Sequence, residues 1–160
     1  MSKSPTLVFV YGTLKRGFGN HHVLGSSTLV GNATTVNSFP LFVDCYRVPY
    51  LVDKPSAPTS HCIAGELYEV PPDELVKLDI LEGIAEERYI RRLVPINHSP
   101  SLPEYPPVSE AWCYLLPERP GLDLEHRDLL GEYSLEVHAG FVPPGDTRDS
   151  TRRQAWGGYE

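Results

Sequence analysis

The sequence is short of positive charge, of cysteine and of long apolar runs. Its 160 residues include 14 lysines and arginines against 21 aspartates and glutamates, which gives a net charge of −7. Nucleic-acid surfaces need clustered basic residues, and here those residues occur as scattered pairs, so we expect no nucleic-acid partner. No segment approaches the roughly 20 apolar residues that span a bilayer, so we expect no membrane partner. No signal-peptide pattern follows Met1, and we therefore expect a cytoplasmic protein.

The few cysteines are too widely spaced for a disulfide framework or a zinc site; they are Cys45, Cys62 and Cys113. The histidines supply no helical ligand spacing either, because His21 and His22 are adjacent and the other four stand alone. We therefore expect reduced thiols, as in the cytoplasm, and no metal. A cysteine–histidine nucleophile stays open, since such partners need only meet in space.

Two loop motifs of catalysis are also missing. Gly12 and Gly17 have the spacing of a phosphate-binding loop, but Phe18 and Gly19 follow where that loop needs lysine and then serine or threonine. No serine lies in the G-x-S-x-G turn of hydrolases. The sequence therefore indicates neither a phosphate-binding loop nor a serine-hydrolase turn.

What the sequence does contain is typical of a compact α+β domain. About six strands and one clear helix predict a small mixed β-barrel or curled sheet flanked by short helices. The strands are predicted at residues 7–11, 27–36, 39–43, 63–70, 88–96 and 111–116, and residues 46–52 are a further extended candidate that Pro49 restricts to an edge strand or a bend. Short helices are expected at 20–24 and 122–130, and a proline-rich loop at 99–108. We expect a single domain over 1–142 and a flexible tail at 143–160, where Pro, Gly, Asp, Arg and Ser dominate.

The clear helix places an acidic residue at its carboxyl end. The run Pro71-Pro72-Asp73-Glu74 suits a helix start, and Gly83 supplies the stop. Between them lies an apolar stripe of Leu75, Leu78, Ile80 and Leu81. At Glu82, the helix dipole and apolar neighbours would both raise the pKa of the carboxyl group toward neutrality, where it can move protons. The alternative is a solvated surface residue. Glu86 and Glu87 compete for the role, but we expect them to be more exposed.

The first predicted strand ends in a glycine-interrupted turn, Tyr11-Gly12-Thr13-Leu14. Glycine near a strand end is usually a structural turn, and that reading stays open. The other reading is an anion cradle, in which successive amides from Gly12 to Leu14 receive a carboxylate. That reading needs a partner elsewhere in the chain, and Glu82 is the candidate.

Several short motifs follow one another in a specific order. They are Tyr11-Gly12-Thr13-Leu14, Asn20-His21, Phe39-Pro40-Leu41, Pro49-Tyr50-Leu51, Gly65-Glu66-Leu67-Tyr68, Leu78-Asp79 with Leu81-Glu82-Gly83, and Arg88-Tyr89 with Arg91. This pattern resembles the γ-glutamyl cyclotransferase family, specifically its γ-glutamylamine branch, and the plant AIG2-like proteins. The resemblance covers about residues 7–96 and the strand at 111–116. Residues 99–108 and those after 117 match poorly.

The resemblance implies a small mixed barrel and an enzyme of the acyltransferase or lyase type without cofactor or metal. It assigns substrate binding to Tyr11, Gly12, Thr13 and Leu14, and acid/base catalysis to Glu82. The implied reaction cyclises a small-molecule γ-glutamyl amine, such as γ-glutamyl-lysine, to 5-oxoproline and releases the amine; Thr13 favours this branch. Two alternatives are action on γ-glutamyl amino acids and a non-catalytic module of the same fold that binds a small acid or a protein. The amine half of the substrate and the oligomeric state stay open. Tyr133 and Phe141 are candidates to close over the site, and packing is the alternative role for both.

Overall fold

The fold is built on a five-stranded barrel with a small hairpin beside it. A computed structural model describes residues 5–100 and 106–139, without the Pro100 side chain. The barrel strands are β1 (Thr6–Val10), β2 (Thr28–Phe39), β5 (His61–Val70), β6 (Ile90–Pro100) and β7 (Glu110–Leu115). The hairpin consists of β3 (Leu41–Val43) and β4 (Pro49–Leu51). Two α-helices, α1 (Pro72–Leu81) and α2 (Leu135–His138), and a 3₁₀ helix (His21–Leu24) complete the described elements.

The barrel closes in the order β1-β5-β2-β6-β7. Its strand pairs are antiparallel except the closing pair of β1 and β7, which is parallel with Val8 opposite Trp112. A closed sheet leaves no long edge to pair with another chain. The predicted small mixed barrel is confirmed, and the curled open sheet is not observed.

Strand β1 is apolar throughout because both of its faces are covered. Phe9 faces the barrel interior, where it packs with Leu67. Val8 and Val10 lie in a second cluster outside the barrel, against Leu78 of α1. This double burial explains the continuous apolar run and fixes the end of β1, where the glycine turn begins.

Helix α1 lies against the barrel through a narrow face. Leu78 is fully buried, whereas Ile80 is 73% exposed, so the predicted apolar stripe is wrong at Ile80. The helix starts at Pro72, as its sequence predicts, and the left-handed φ of 66° at Gly83 ends it. No helix within residues 5–100 and 106–139 has the length and apolar character to cross a membrane.

Two predicted strand boundaries are corrected by the structure. Residues 27–36 and 39–43 were expected as separate strands, but β2 runs without a break to Phe39 through a register shift between Thr34 and Ser38. The break falls instead at Pro40, which cannot donate a ladder hydrogen bond. Likewise, β6 extends to Pro100, into the segment expected to be a loop.

The helix expected at 122–130 does not form. Asp123 Oδ1 instead accepts the amides of Glu125 at 3.1 Å and His126 at 3.3 Å, which holds a tight turn. Beyond it, the Leu130 amide donates to the Leu41 carbonyl at 2.9 Å. Helix α2 was not predicted. The predicted tail at 143–160 lies outside the described residues, and the single domain over 1–142 stays a prediction.

Candidate active site

The glycine turn after β1 is held in shape by its own downstream segment. The Lys15 amide donates to the Gly12 carbonyl at 3.1 Å. Asn20 donates twice to Thr13, from its amide to the carbonyl at 2.8 Å and from Nδ2 to Oγ1 at 2.9 Å. Within the described residues, the amides of Gly12, Thr13 and Leu14 donate to no protein acceptor. Three successive amides without acceptors are the arrangement that an anion cradle requires.

Gly12 is required at its position by the hairpin that packs on it. A Cβ atom there would lie 2.7 Å from Pro49 Cγ, which is closer than real side chains approach. The proline ring is stiff and cannot move aside as a flexible side chain would. Strand β4 therefore fixes the position of the glycine turn, and with it the direction in which the amides point.

Tyr11 connects the glycine turn to β7 through a hydrogen bond, and it lies within electrostatic range of Glu82. Its hydroxyl donates to the Tyr114 carbonyl at 2.9 Å, and its side chain is buried. Burial raises the pKa of Tyr11 well above its usual value, and the negative charge of Glu82 raises it further. The Glu82 carboxylate therefore lies close enough to the phenol to act on it electrostatically.

Glu82 is the C-terminal cap residue of α1, and its amide donates to the Leu78 carbonyl at 2.9 Å. Burial raises the pKa of this carboxyl group from 4.5 to about 7, and the positive charge of Arg88 offsets part of the rise. The direction is the one expected from the sequence, although burial is its leading cause. Glu86 and Glu87 are exposed, as predicted from the sequence. Glu82 can thus gain and lose a proton near neutral pH.

The surroundings of Glu82 are phenolic and apolar. Burial is the main cause of the raised pKa values of Tyr89, Cys113 and Tyr114, and the negative charge of Glu82 also raises each of them. Cys113 is fully buried in the barrel interior, and burial keeps its thiol protonated. The structure thus brings the predicted acid/base residue within electrostatic range of Tyr11, the first residue of the predicted binding turn. No group of three or more potential metal ligands occurs among residues 5–100 and 106–139.

No role is predicted for Lys15 from the sequence. In the structure, this residue connects the glycine turn to the segment that contains Tyr133. The residue is only 5% exposed, and its ammonium donates to the Tyr133 carbonyl at 2.7 Å. The ammonium also lies 4.6 Å from the centre of the Phe18 ring. Burial lowers the pKa of Lys15, and Glu132 partly restores it. The only signal for this contact in the sequence is a lysine directly after Leu14. Its hydrogen-bond partner, Tyr133, is 118 residues further along the chain.

Tyr133 and His138 extend this connection into a hydrogen-bonded chain. The Tyr133 hydroxyl donates to the Arg47 carbonyl in the turn between β3 and β4. Its oxygen therefore accepts from His138 Nδ1 at 2.8 Å, which leaves Nε2 to accept the Gly19 amide at 3.1 Å. Tyr133 was expected either to close over the site or to pack, and it packs fully buried in the barrel core. Phe141, its expected companion, lies outside the described residues.

A small mixed barrel that carries a glycine turn with open amides and a buried carboxyl group of raised pKa characterises this chain. The sequence profile of the family described as "Gamma-glutamyl cyclotransferase, AIG2-like" matches residues 8–135, so the chain belongs to that family.

Relatives and solved structures agree with this assignment. The chain is 45% identical to the γ-glutamylaminecyclotransferase of Rattus norvegicus over 82 residues, which are 48% of this chain and 54% of that protein. A relative in Arabidopsis thaliana is 45% identical over 93 residues, 54% of this chain and 49% of that protein. The aligned stretches thus span about half the length of these two relatives. The crystal structure of an AIG2-like protein from Mus musculus superposes with a TM-score of 0.69 at 28% identity, covering 91% of this chain and 99% of that one.

Proposed function

We propose that this protein is a γ-glutamylamine cyclotransferase that converts a γ-glutamyl amine to 5-oxoproline and the free amine. The observation that carries the proposal is that Glu82, whose pKa of about 7 suits proton transfer, acts electrostatically on Tyr11, the residue directly before the open amides of the glycine turn. The name of the rat relative supports the same activity. The free thiols of Cys45, Cys62 and Cys113 support a reducing location such as the cytoplasm.

In this proposal the glycine turn holds the substrate by its α-carboxylate. The amides of Gly12, Thr13 and Leu14 donate to the carboxylate oxygens, and such charge-assisted bonds are stronger than those between neutral groups. Tyr11 lines the same end of the site with its hydroxyl already bound to Tyr114. With the carboxylate fixed, the glutamyl chain can fold so that its α-nitrogen approaches its own γ-carbonyl carbon.

The reaction needs a proton acceptor and then a proton donor. Glu82 takes a proton from the α-ammonium group, and the freed nitrogen attacks the γ-carbonyl carbon. As the new ring C–N bond forms, the carbonyl oxygen takes up negative charge. When the old C–N bond breaks, Glu82 returns a proton to the leaving nitrogen. Overall the α-ammonium loses two protons and the amine, released as ammonium, gains two. The nucleophile is supplied by the substrate, so no covalent enzyme intermediate is required.

The test is formation of 5-oxoproline from synthetic γ-glutamyl compounds by the purified protein, followed by chromatography. γ-Glutamyl-ε-lysine, γ-glutamyl-alanine and γ-glutamyl-ethylamine sample amines of different charge. We expect product from at least one of them and none from α-glutamyl-alanine, in which the γ-carbonyl carries no amine. Binding of a γ-glutamyl compound without turnover would refute the catalytic proposal and favour a binding module of the same fold.

A further inference from the structure

Arg88 is held next to Glu82 by an ordered turn. Its amide donates to the Gly83 carbonyl at 3.0 Å, and its Nε would lie 3.0 Å from a Cβ atom on Gly83, so the side chain packs directly over that glycine. Glu87 takes a left-handed φ of 58°, and its carbonyl accepts from Arg119 Nη2 at 2.6 Å. The turn therefore fixes the origin of the Arg88 side chain beside the proton-moving carboxyl group.

The Arg88 guanidinium is available to bind a ligand, whereas the neighbouring arginines Arg91 and Arg92 are paired with aspartates. Arg91 pairs with Asp79 at 3.3 Å, and Arg92 pairs with Asp53 at 2.7 Å. In the described part of the chain, the Arg88 guanidinium forms no hydrogen bond and no ion pair, and the residue is exposed. A planar guanidinium in this state is suited to bind a carboxylate through two parallel hydrogen bonds.

We propose that Arg88 binds a carboxylate on the amine half of the substrate and is thereby a residue that determines which amines are preferred. This inference rests on the proposed function. Glu82 must reach the nitrogen of the bond that breaks, so the substituent on that nitrogen lies beside Glu82 and therefore near Arg88. The exposed carboxylates of Glu86 and Glu87 on the same turn would repel an anionic substituent. Arg88 offsets this repulsion at the point where the substituent leaves.

Two pairs of substrates that differ only by a carboxylate test the inference. γ-Glutamyl-alanine is compared with γ-glutamyl-ethylamine, and γ-glutamyl-ε-lysine with γ-glutamyl-cadaverine. For the wild-type protein we expect kcat/KM to be about 10- to 100-fold higher for the carboxylate member of at least one pair, the range of one hydrogen-bonded charge. Arg88→Gln should remove that preference mainly through KM, and Arg88→Lys should retain part of it.

Matched controls separate this role from other effects of the charge. Arg92→Gln removes a nearby cation that already pairs with Asp53, and we expect it to leave the preference unchanged. Thermal unfolding of each variant verifies the fold. An equal loss on all four substrates in Arg88→Gln would overturn the inference, because the cation would then act only through Glu82. A wild-type protein that prefers the carboxylate member of neither pair would also overturn it. Absence of 5-oxoproline from all four would refute the proposed function, and the inference with it.

Discussion

Gly12 and Pro49 approach each other so closely that a Cβ atom on Gly12 would lie 2.7 Å from Pro49 Cγ. Gly12→Ala must therefore push the glycine turn away from the hairpin. We expect a loss of about 1–3 kcal/mol in the free energy of unfolding and at least about a tenfold loss in kcat/KM. Gly131→Ala is the control, since its nearest neighbour would be His61 Cβ at 3.5 Å, an ordinary contact. Urea unfolding measures the free energy of unfolding, and the 5-oxoproline assay measures kcat/KM. Equal values of both quantities for Gly12→Ala and Gly131→Ala would contradict the proposed packing.

Glu82→Gln keeps the shape of the side chain and removes its ability to take up a proton. We expect turnover to fall by about 10²- to 10⁴-fold, the usual contribution of a general acid/base, while substrate affinity stays near that of the wild type. Single-turnover kinetics and calorimetric titration measure the two quantities. Glu86→Gln, at an exposed position on the same turn, should remain fully active. Normal turnover in Glu82→Gln would remove the role assigned to this residue.

The pH dependence of kcat/KM should reflect the ionisation of Glu82. Since the base acts as a carboxylate and its pKa is about 7, kcat/KM should fall about tenfold per pH unit below that value. Removing the positive charge in Arg88→Gln should raise the pKa of Glu82 and move the midpoint to higher pH. A pH–rate profile for each protein measures this shift. A midpoint that does not differ between them would show that Arg88 does not act on Glu82.

Glu82 should also make the fold less stable as pH rises. Its pKa is near 4.5 when exposed and about 7 in the folded protein, so the folded state binds more protons between these values. Stability is therefore greatest below pH 4.5 for this group and falls until the pH passes about 7. The free energy of unfolding of Glu82→Gln relative to wild type should increase from pH 5 to pH 8. A constant difference across that range would contradict the burial of the carboxyl group.

His138 should be neutral, with its proton on Nδ1. The acceptor role of Nε2 toward the Gly19 amide and the donor role of Nδ1 toward Tyr133 fix this tautomer. Burial lowers the pKa of His138 below 6.5, so its contribution to stability is complete above that pH and is lost as the pH falls through the lowered value. Nitrogen-15 NMR of the imidazole measures both properties. Tyr133→Phe removes the oxygen that accepts from Nδ1 and should shift that resonance alone; a proton on Nε2 in the wild type would contradict the hydrogen-bonded chain.

The sequence was sufficient where structure depends on neighbours along the chain. The double burial of β1 appears as a continuous apolar run, and Pro72 and Gly83 mark the two ends of α1, which places Glu82. It was insufficient where a partner is distant. The contact of Lys15 with Tyr133 leaves no periodic pattern in the sequence. Local propensity predicted a helix at 122–130, where the structure instead has a turn at Asp123 and a hydrogen bond from Leu130 to β3.

The contact between Lys15 and Tyr133 also has a consequence for synthesis. Translation produces the Tyr133 carbonyl 118 residues after Lys15, whose buried ammonium donates to it. At about 5–20 residues per second, the turn waits several seconds on the ribosome before its partner exists. Strand β7, which receives the Tyr11 hydroxyl, is also made late. The glycine turn, although it is made before both of these partners, can therefore reach its final form only after Tyr133 has been made.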